Sequence, residues 1–386
     1  MGVYGYIIQN EELSDTCKRT YINIDDKEAP MLSNVYGWAF REVLFDKSYR
    51  KLKECLFNLE YNLVEDDFGD FMTVYEYDDT NGIEVVKSLD EHGNLHLNNK
   101  GYAYFVKTRD INDNPLNCSY YDTYHNLVNT IKGFAVIDKE YDEKGRLTKE
   151  FYYDCEMHLI QLPDFNDGTF GLRYEYLSDR SRLEIQIGRD GIISKCDDGY
   201  AIICKELDAK GWLIKETYLD ENREPTCDNF NDYGTRFKRE EVNGLIVRTA
   251  ISLGRDGNPH DNSYGFCSDE RTYNSQDELL QVRRFDLDGE IYRDSDETYG
   301  RRYEYGQSDD NRIKREFCID ANGNICEDCE GIALCETWYD TNDRTILYLE
   351  RNLEGNLVPN RNGDYIQRRE YFEDNSYLTI SFDNEN

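Results

Sequence analysis

The sequence predicts an all-β protein, a tandem array of stacked antiparallel hairpins that forms an extended, twisted or spiralled sheet. Three observations predict it. A glycine beside an aromatic or small apolar residue recurs at Gly5, Gly37, Gly69, Gly101, Gly133, Gly171, Gly199, Gly234, Gly265, Gly300, Gly331 and Gly363, marking about twelve units of about 32 residues. Residue types repeat in register behind those glycines. The composition favours strands, with 32 Tyr and only 6 Pro.

The repeat is better described as a double unit with two unequal halves. Gly133, Gly199, Gly265 and Gly331 stand 66 residues apart, and Gly5, Gly69 and Gly133 stand 64 apart. Two residues after the glycine come Ala135, Ala201, Cys267 and Ala333. Six residues further come Tyr141, Leu207, Tyr273 and Tyr339, each followed by Asp142, Asp208, Asn274 or Asp340. Even halves are looser: Val242-Asn243-Gly244 and the stretch from Ser308 to Asn311 stand where the Tyr-Asp turn would be.

Within a unit, each element has a local reason. Phe134 to Tyr141 and Arg146 to Tyr153 are rich in aromatic and β-branched residues and read as strands. Asp142-Glu143-Lys144-Gly145 and Asp208-Ala209-Lys210-Gly211 between such strands carry Asp first and Gly fourth, the preference of a type I turn closed by a left-handed residue. A second Asp turn follows at Asp154, Asp220, Asp286 and Asp320, then a short extended link. Lys47 to Val64 carries the best helical periodicity and fits the strand reading equally. One hairpin cannot fold alone, so the units are expected to stack and pair their edges. Residues 1–386 thus read as one array, with polar units at 1–36 and 363–386 as caps.

A net charge of -34 opposes direct binding to nucleic acid or to an anionic membrane. No stretch approaches 18 apolar residues, and the N-terminus shows neither a basic region nor a long apolar run. The expected location is therefore cytoplasmic, with export by a route lacking a classical signal as the alternative. The 12 Cys do not recur at one place in the repeat and read as free thiols in a reducing compartment.

The segment Tyr141-Asp142-Glu143-Lys144-Gly145-Arg146-Leu147 resembles the YD repeat of the RHS family, whose pattern is Tyr-Asp, two free positions, then Gly-Arg-Leu. Tyr77-Asp78, Leu207 to Leu213 and Tyr339-Asp340 are weaker copies. RHS proteins spiral their strands into a large β-shell that can enclose a toxin, so the resemblance implies a coiled or spiralled sheet. The period is longer here than the family's usual one, and the chain carries neither the family's core-ending motif nor an appended toxin domain.

Two groups of residues have ligand-like spacing. Cys318, Cys326, Cys329 and Cys335 lie within 18 residues and include one C-x-x-C, so four thiolates could hold zinc. A zinc ribbon has two such knuckles, and the bland reading is buried or surface thiols. Asp320, Asn322 and Asn324 alternate around Gly323 like the opening of a calcium loop, as do Asp286, Asp288 and Glu290. An EF-hand needs Glu at its twelfth position, where the first loop has Gly331. Hairpin turns are the competing reading. His92, His96, His125, His158 and His260 pair with no Ser or Cys in a recognisable signature and read as surface-loop residues. With 79 Asp and Glu, paired carboxylates carry no weight as a glycosidase signal.

No catalytic constellation and no cofactor site stand out. The sequence favours a non-enzymatic scaffold or protein-binding module, whose expected partner is a protein, a basic one being the variant the charge suggests. One alternative is an RHS-like component of a toxin or secretion system, on analogy alone. Another is an acidic DNA mimic: two strands per unit at ~4.8 Å give a rod on the order of 115 Å. Its charge of -34 then falls at one per ~3.4 Å, about half the density of duplex DNA. A hydrolase would need a cleft that the repeats do not advertise.

Overall fold

A computed structural model of the chain describes residues 5–24, 29–32, 37–161, 168–308, 311–360, 363, 365–372 and 376–382. Among them are 26 β-strands and no helix, all paired antiparallel as stacked hairpins. No helix is therefore long and apolar enough to cross a membrane. The chain divides into two compact units, one of Met1–Leu177 with Arg182–Ile202, the other of Ser178–Ser181 with Ile203–Asn386.

In the first unit, hairpins form from Gly5–Glu12 with Thr16–Ile24, Phe40–Asp46 with Lys51–Phe57, Met72–Asp78 with Ile83–Leu89, Tyr104–Arg109 with Pro115–Tyr121, and Val136–Tyr141 with Leu147–Tyr153. The region Lys47 to Val64 is strand and turn, with strands at Lys51–Phe57 and Leu63–Val64. In the second unit the sequence of hairpins runs through Gly234–Val242 with Leu245–Ser252, Ser268–Tyr273 with Leu279–Phe285, Arg301–Ser308 with Asn311–Cys318, Leu334–Tyr339 with Thr345–Arg351, and Ile366–Tyr371 with Tyr377–Phe382.

The two unequal halves have a plain structural basis. From Gly133 onward, hairpins that close through a five-residue loop with a bulge beside it, as between Glu140 and Tyr141 or Thr272 and Tyr273, fall in the odd halves, whereas in the first four units the bulges lie in the even ones, between Leu44 and Phe45 and between Thr108 and Arg109. The even hairpin at Val242–Leu245 closes through Asn243 and Gly244 alone, both left-handed (φ 54° and 78°), the two-residue turn whose twist matches the strands.

The glycine marker needs one correction. Gly69, Gly101, Gly133, Gly199, Gly265, Gly331 and Gly363 occupy the left-handed fourth position of a loop ahead of a hairpin. Gly171, Gly234 and Gly300 do not; the first two open strands and Gly300 immediately precedes one. A Cβ on Gly234 or Gly300 would stand 2.2 or 2.3 Å from a neighbouring backbone carbonyl, and one on Gly171 would strike the Phe151 ring. The equivalent left-handed positions are Gly168, Asn231 and Glu297, three residues earlier. With these restored, the uneven steps of the sequence reading shrink to intervals of 31 to 35 residues. A loop whose other bonds are intact tolerates Asn or even Glu at φ near 66°, so this position is not always glycine.

In six units the core starts from a small residue two places after that left-handed position, whereas Phe71, Phe170, Tyr233, Tyr299 and Tyr365 hold the same place in others. Ala39, Ala103, Ala135, Ala201, Cys267 and Ala333 are all buried. Ala135 donates to the Tyr153 carbonyl at 2.7 Å and accepts from Tyr120 N–H at 2.9 Å, so its backbone joins two successive hairpins. Beside the column in the first unit runs an aromatic row, Tyr102, Tyr120, Phe134 and Tyr152, with ring centroids 4.9, 5.6 and 5.2 Å apart.

Candidate binding surface

The acidic turns are built from their own side chains. In the Asp142 loop the Gly145 N–H donates to the Asp142 carbonyl at 2.9 Å, and Asp142 Oδ1 accepts from the N–H groups of Lys144 and Arg146. This is an Asx arrangement, in which the carboxylate satisfies backbone donors the turn would leave open. Asp320 does the same: Oδ1 accepts from the N–H groups of Asn322 and Asn324 at 2.8 Å each, and Oδ2 from the Asn324 amide at 3.2 Å. Those donors hold its carboxyl below the usual range. Asp286 Oδ1 accepts from Glu290 N–H at 2.9 Å, while Asp288 rides the exposed crest of that loop. Turn closure is what the structure assigns to Asp286, Asp320 and Asn322.

The four cysteines are placed unequally. Cys318 is buried, with Cys326 and Cys335 close enough to act on it electrostatically, and burial pushes its thiol up to about 12. Burial raises Cys335 to about 11. Cys329 is exposed among Asp328, Asp296, Glu330 and Glu297, and its N–H donates to the Asp296 carbonyl. These environments favour the neutral thiol, whereas a metal takes the thiolate. Among the described residues no three His, Cys, Asp or Glu side chains are arranged to hold a metal ion.

Two histidines are not the loop residues the sequence suggested. Asp70 is 6% exposed; its Oδ1 lies 3.2 Å from His96 Nε2, and Oδ2 accepts from Ser88 Oγ at 3.1 Å. Asn98 Nδ2 donates to the same Ser88 oxygen at 3.0 Å. The cluster recurs in the second unit: Asp232 Oδ1 stands 3.1 Å from His260 Nε2, with Ser252 on the same carboxylate. Burial first, then Asp66, pushes Asp70 up to about 6; burial and Asp228 raise Asp232. The order matters chemically. Nucleophile activation needs imidazole between hydroxyl and carboxylate, and here the carboxylate is in the middle. The clusters enclose an acid, buried at Asp70 and half-buried at Asp232, and in neither is an imidazole placed to activate the serine. Partners 26 and 28 residues apart in sequence left no local signature.

The tyrosine column lies neither open nor in the core. Tyr77, Tyr273 and Tyr339 are half-buried under guanidinium groups of Arg50, Arg248 and Arg312, 4.5, 4.3 and 4.7 Å from the ring centroids.

The open aromatic surface is elsewhere, on the loop edge of the second unit. Phe230 and Tyr264 occupy the third position of successive five-residue loops and are 42% and 58% exposed. Their rings stack at 5.3 Å; Tyr264 stacks on Phe266 at 6.1 Å, and Phe266 meets Tyr292 at 5.6 Å. The Ser263 N–H donates to the Phe230 carbonyl at 2.8 Å and the Tyr292 hydroxyl to the Tyr264 carbonyl at 2.5 Å, so the loops are tied together behind the rings. Acidic Asp228, Asp261 and Asp286 belong to the same loops and links.

No family model matches the chain, and no curated protein matches it. Among solved structures, a TcdB2-TccC3-TEV complex aligns at a TM-score of 0.17 with 10% identity, over 94% of this chain and 20% of that one. A GH43 protein, BlXynB from Bacillus licheniformis, aligns at 0.12 with 8% identity, over 98% and 55%. The RS223 β-xylosidase aligns at 0.11 with 10% identity, over 98% and 96%. The chain thus spans about a fifth of the first of these and about half of the second. Similarity this low assigns neither a fold family nor an activity.

Proposed function

We propose that the protein is a non-enzymatic scaffold that binds another protein through the aromatic loop edge formed by Phe230, Tyr264, Phe266 and Tyr292, and that the partner presents a basic segment there. The observation that carries this reading is the exposed Phe230–Tyr264 stack, whose loops are fixed by backbone bonds before any partner arrives. Large aromatic rings held in place are the residue type that supplies most interface energy, because little entropy is lost when they are covered. A cationic side chain gains twice on this surface, from the ring faces and from the carboxylates around them. The chain's charge of -34 draws such a segment in and is screened by salt.

The test uses a fluorescent nona-arginine peptide and the full chain. Anisotropy is expected to report binding at 20 mM salt that weakens steeply by 300 mM. The Phe230→Ser, Tyr264→Ser double variant is expected to bind at least about tenfold more weakly, from the loss of two stacked rings. Binding that is absent at 20 mM salt removes the basic partner. Equal binding by the double variant removes the loop edge as its site.

A further inference from the structure

The third residues of the five-residue loops ahead of the hairpins form a row along the loop edge. In the first unit three successive members of that row are Phe68, Lys100 and Lys132. In the second unit four successive members are Phe230, Tyr264, Asp296 and Glu330. The loops are fastened to one another in the same way on both edges. Asn99 N–H donates to the Phe68 carbonyl at 2.7 Å and Ile131 N–H to the Lys100 carbonyl at 2.9 Å, as Ser263 does to Phe230 and Cys329 to Asp296. The backbone thus holds both rows in place before anything docks on them, which lowers the entropy lost when they are covered.

The two edges carry opposite charge. The loops Asn98–Tyr102 and Thr130–Phe134 hold two lysines and no acid. The loops Asp294–Thr298 and Asp328–Ile332 hold Asp294, Asp296, Glu297, Asp328 and Glu330 and no base. Arg301 pairs with Asp296 and Arg293 with Glu297, so five carboxylates less two guanidinium groups leave an excess of three negative charges. Neither Lys100 nor Lys132 has a carboxylate partner among the described residues. Lys100 lies over the Phe68 ring, 5.2 Å from its centroid. Phe68 is 46% exposed, and Ile131, beside Lys132, is 67% exposed. Asp67, exposed next to Phe68, stands at the far end of the row from Lys132. In a chain with 79 acidic and 45 basic residues, two adjacent loops bearing only lysine break the pattern, and such breaks mark functional positions.

We propose that the protein associates with itself head to tail, the Phe68–Lys100–Lys132 edge of one copy docking on the Tyr264–Asp296–Glu330 edge of a second copy. The match is in order as well as in sign. Read along the chain, each edge runs aromatic, charged, charged, and each step is one hairpin, two strands or ~9.6 Å. Phe68 then meets the exposed rings of Tyr264 and Phe230, Lys100 meets Asp296, and Lys132 meets Glu330. The rings supply the apolar centre and the lysines fix the register. The charge of -34 on each copy opposes association, but its long-range part is screened beyond about 8 Å at physiological salt, whereas the groups in contact have opposite sign. The contact uses a different surface on each copy, so it either closes into a ring or propagates. It rests on the reading that the aromatic loop edge of the second unit is a docking surface, and it names another copy of this chain as the source of the basic segment.

The experiment is sedimentation velocity of the full chain over a hundredfold range of concentration, in 100 mM sodium chloride at pH 7.5. Reversible dimers and larger species are expected at the high end. Two variants each remove one side of the contact: Lys100→Glu with Lys132→Glu in the first unit, and Tyr264→Ser with Glu330→Ser in the second. Each alone is expected to raise the concentration for half-association at least about tenfold. Mixed in equal amounts, they are expected to form a one-to-one complex and nothing larger, through the one intact edge that each retains. That complex also shows both variants to be folded. Titration with nona-arginine separates this inference from the reading beneath it. A parent chain that stays monomeric yet binds nona-arginine at the Phe230–Tyr264 edge overturns self-association and leaves the docking surface standing. A parent that does neither overturns both. Variants that associate like the parent, or a mixture that yields no heterodimer, overturn the head-to-tail contact.

Discussion

The guanidinium of Arg146 lies 4.0 Å from the centroid of the Tyr176 ring, and the Tyr176 hydroxyl donates to the Leu147 carbonyl at 3.0 Å. Arg146 Nε in turn donates to Asp142 Oδ2 at 2.7 Å. The same clasp recurs at Asp46, Arg50 and Tyr77, and at Asp340, Arg344 and Tyr371. In each case a loop of one hairpin is fastened to a strand of the next. Replacing Tyr176 by Phe removes only the hydroxyl bond and is expected to cost about 1 kcal/mol in urea unfolding. In a double-mutant cycle with Arg146→Ala, coupling on the order of 0.5 kcal/mol or more is expected between the two side chains. Strict additivity would mean that the stack contributes nothing.

Two glycines with positive φ should respond differently to alanine. Gly234 has φ 154° with the Glu216 carbonyl 2.2 Å from the site of a Cβ, whereas Gly211 has φ 83° and nothing within 4 Å. Gly211→Ala meets backbone strain alone, about 1–2 kcal/mol. Gly234→Ala adds a collision with backbone that cannot rotate away, and is expected to cost at least twice as much in the same measurement.

The Asp70 cluster predicts a pH dependence with a definite sign. Its carboxyl titrates at about 6 in the folded chain against an ordinary value of 3.8. The folded state therefore binds more protons than the unfolded state between those values, and stability falls as pH rises through that window. Asp70→Asn removes the titration. The Tm difference, variant minus parent, is expected to grow from pH 4 to pH 6.5 and to level off above. A difference that stays flat would show that His96 and Ser88 fully compensate the buried charge.

Thiol reactivity separates the cysteines. Cys155 and Cys329 are exposed, while Cys318 is buried with its thiol raised to about 12. At pH 8 in native buffer, iodoacetamide is expected to label Cys155 first and Cys318 last, read by peptide mass spectrometry. Early labelling of Cys318 would contradict its placement.

Much of the local architecture is legible from residues alone. Asp142 and Gly145 announce their turn because one supplies a carboxylate for the open N–H groups and the other a left-handed backbone. Ala135, Ala201, Cys267 and Ala333 announce a buried column because a small residue recurs there in four successive double units.

The sequence by itself determined that this chain is built of hairpins, roughly how long they are and how each turn closes, since those properties depend on φ/ψ preferences and hydrogen bonds within five residues. Only the tertiary structure decided which glycines were equivalent, that His96 and His260 meet Asp70 and Asp232, that Tyr77 lies beneath Arg50, and that Phe230 and Tyr264 form the open edge. Each of these joins residues 26 to 34 positions apart, and such pairs are set by how one hairpin seats on the next, a packing choice that no short-range pattern encodes.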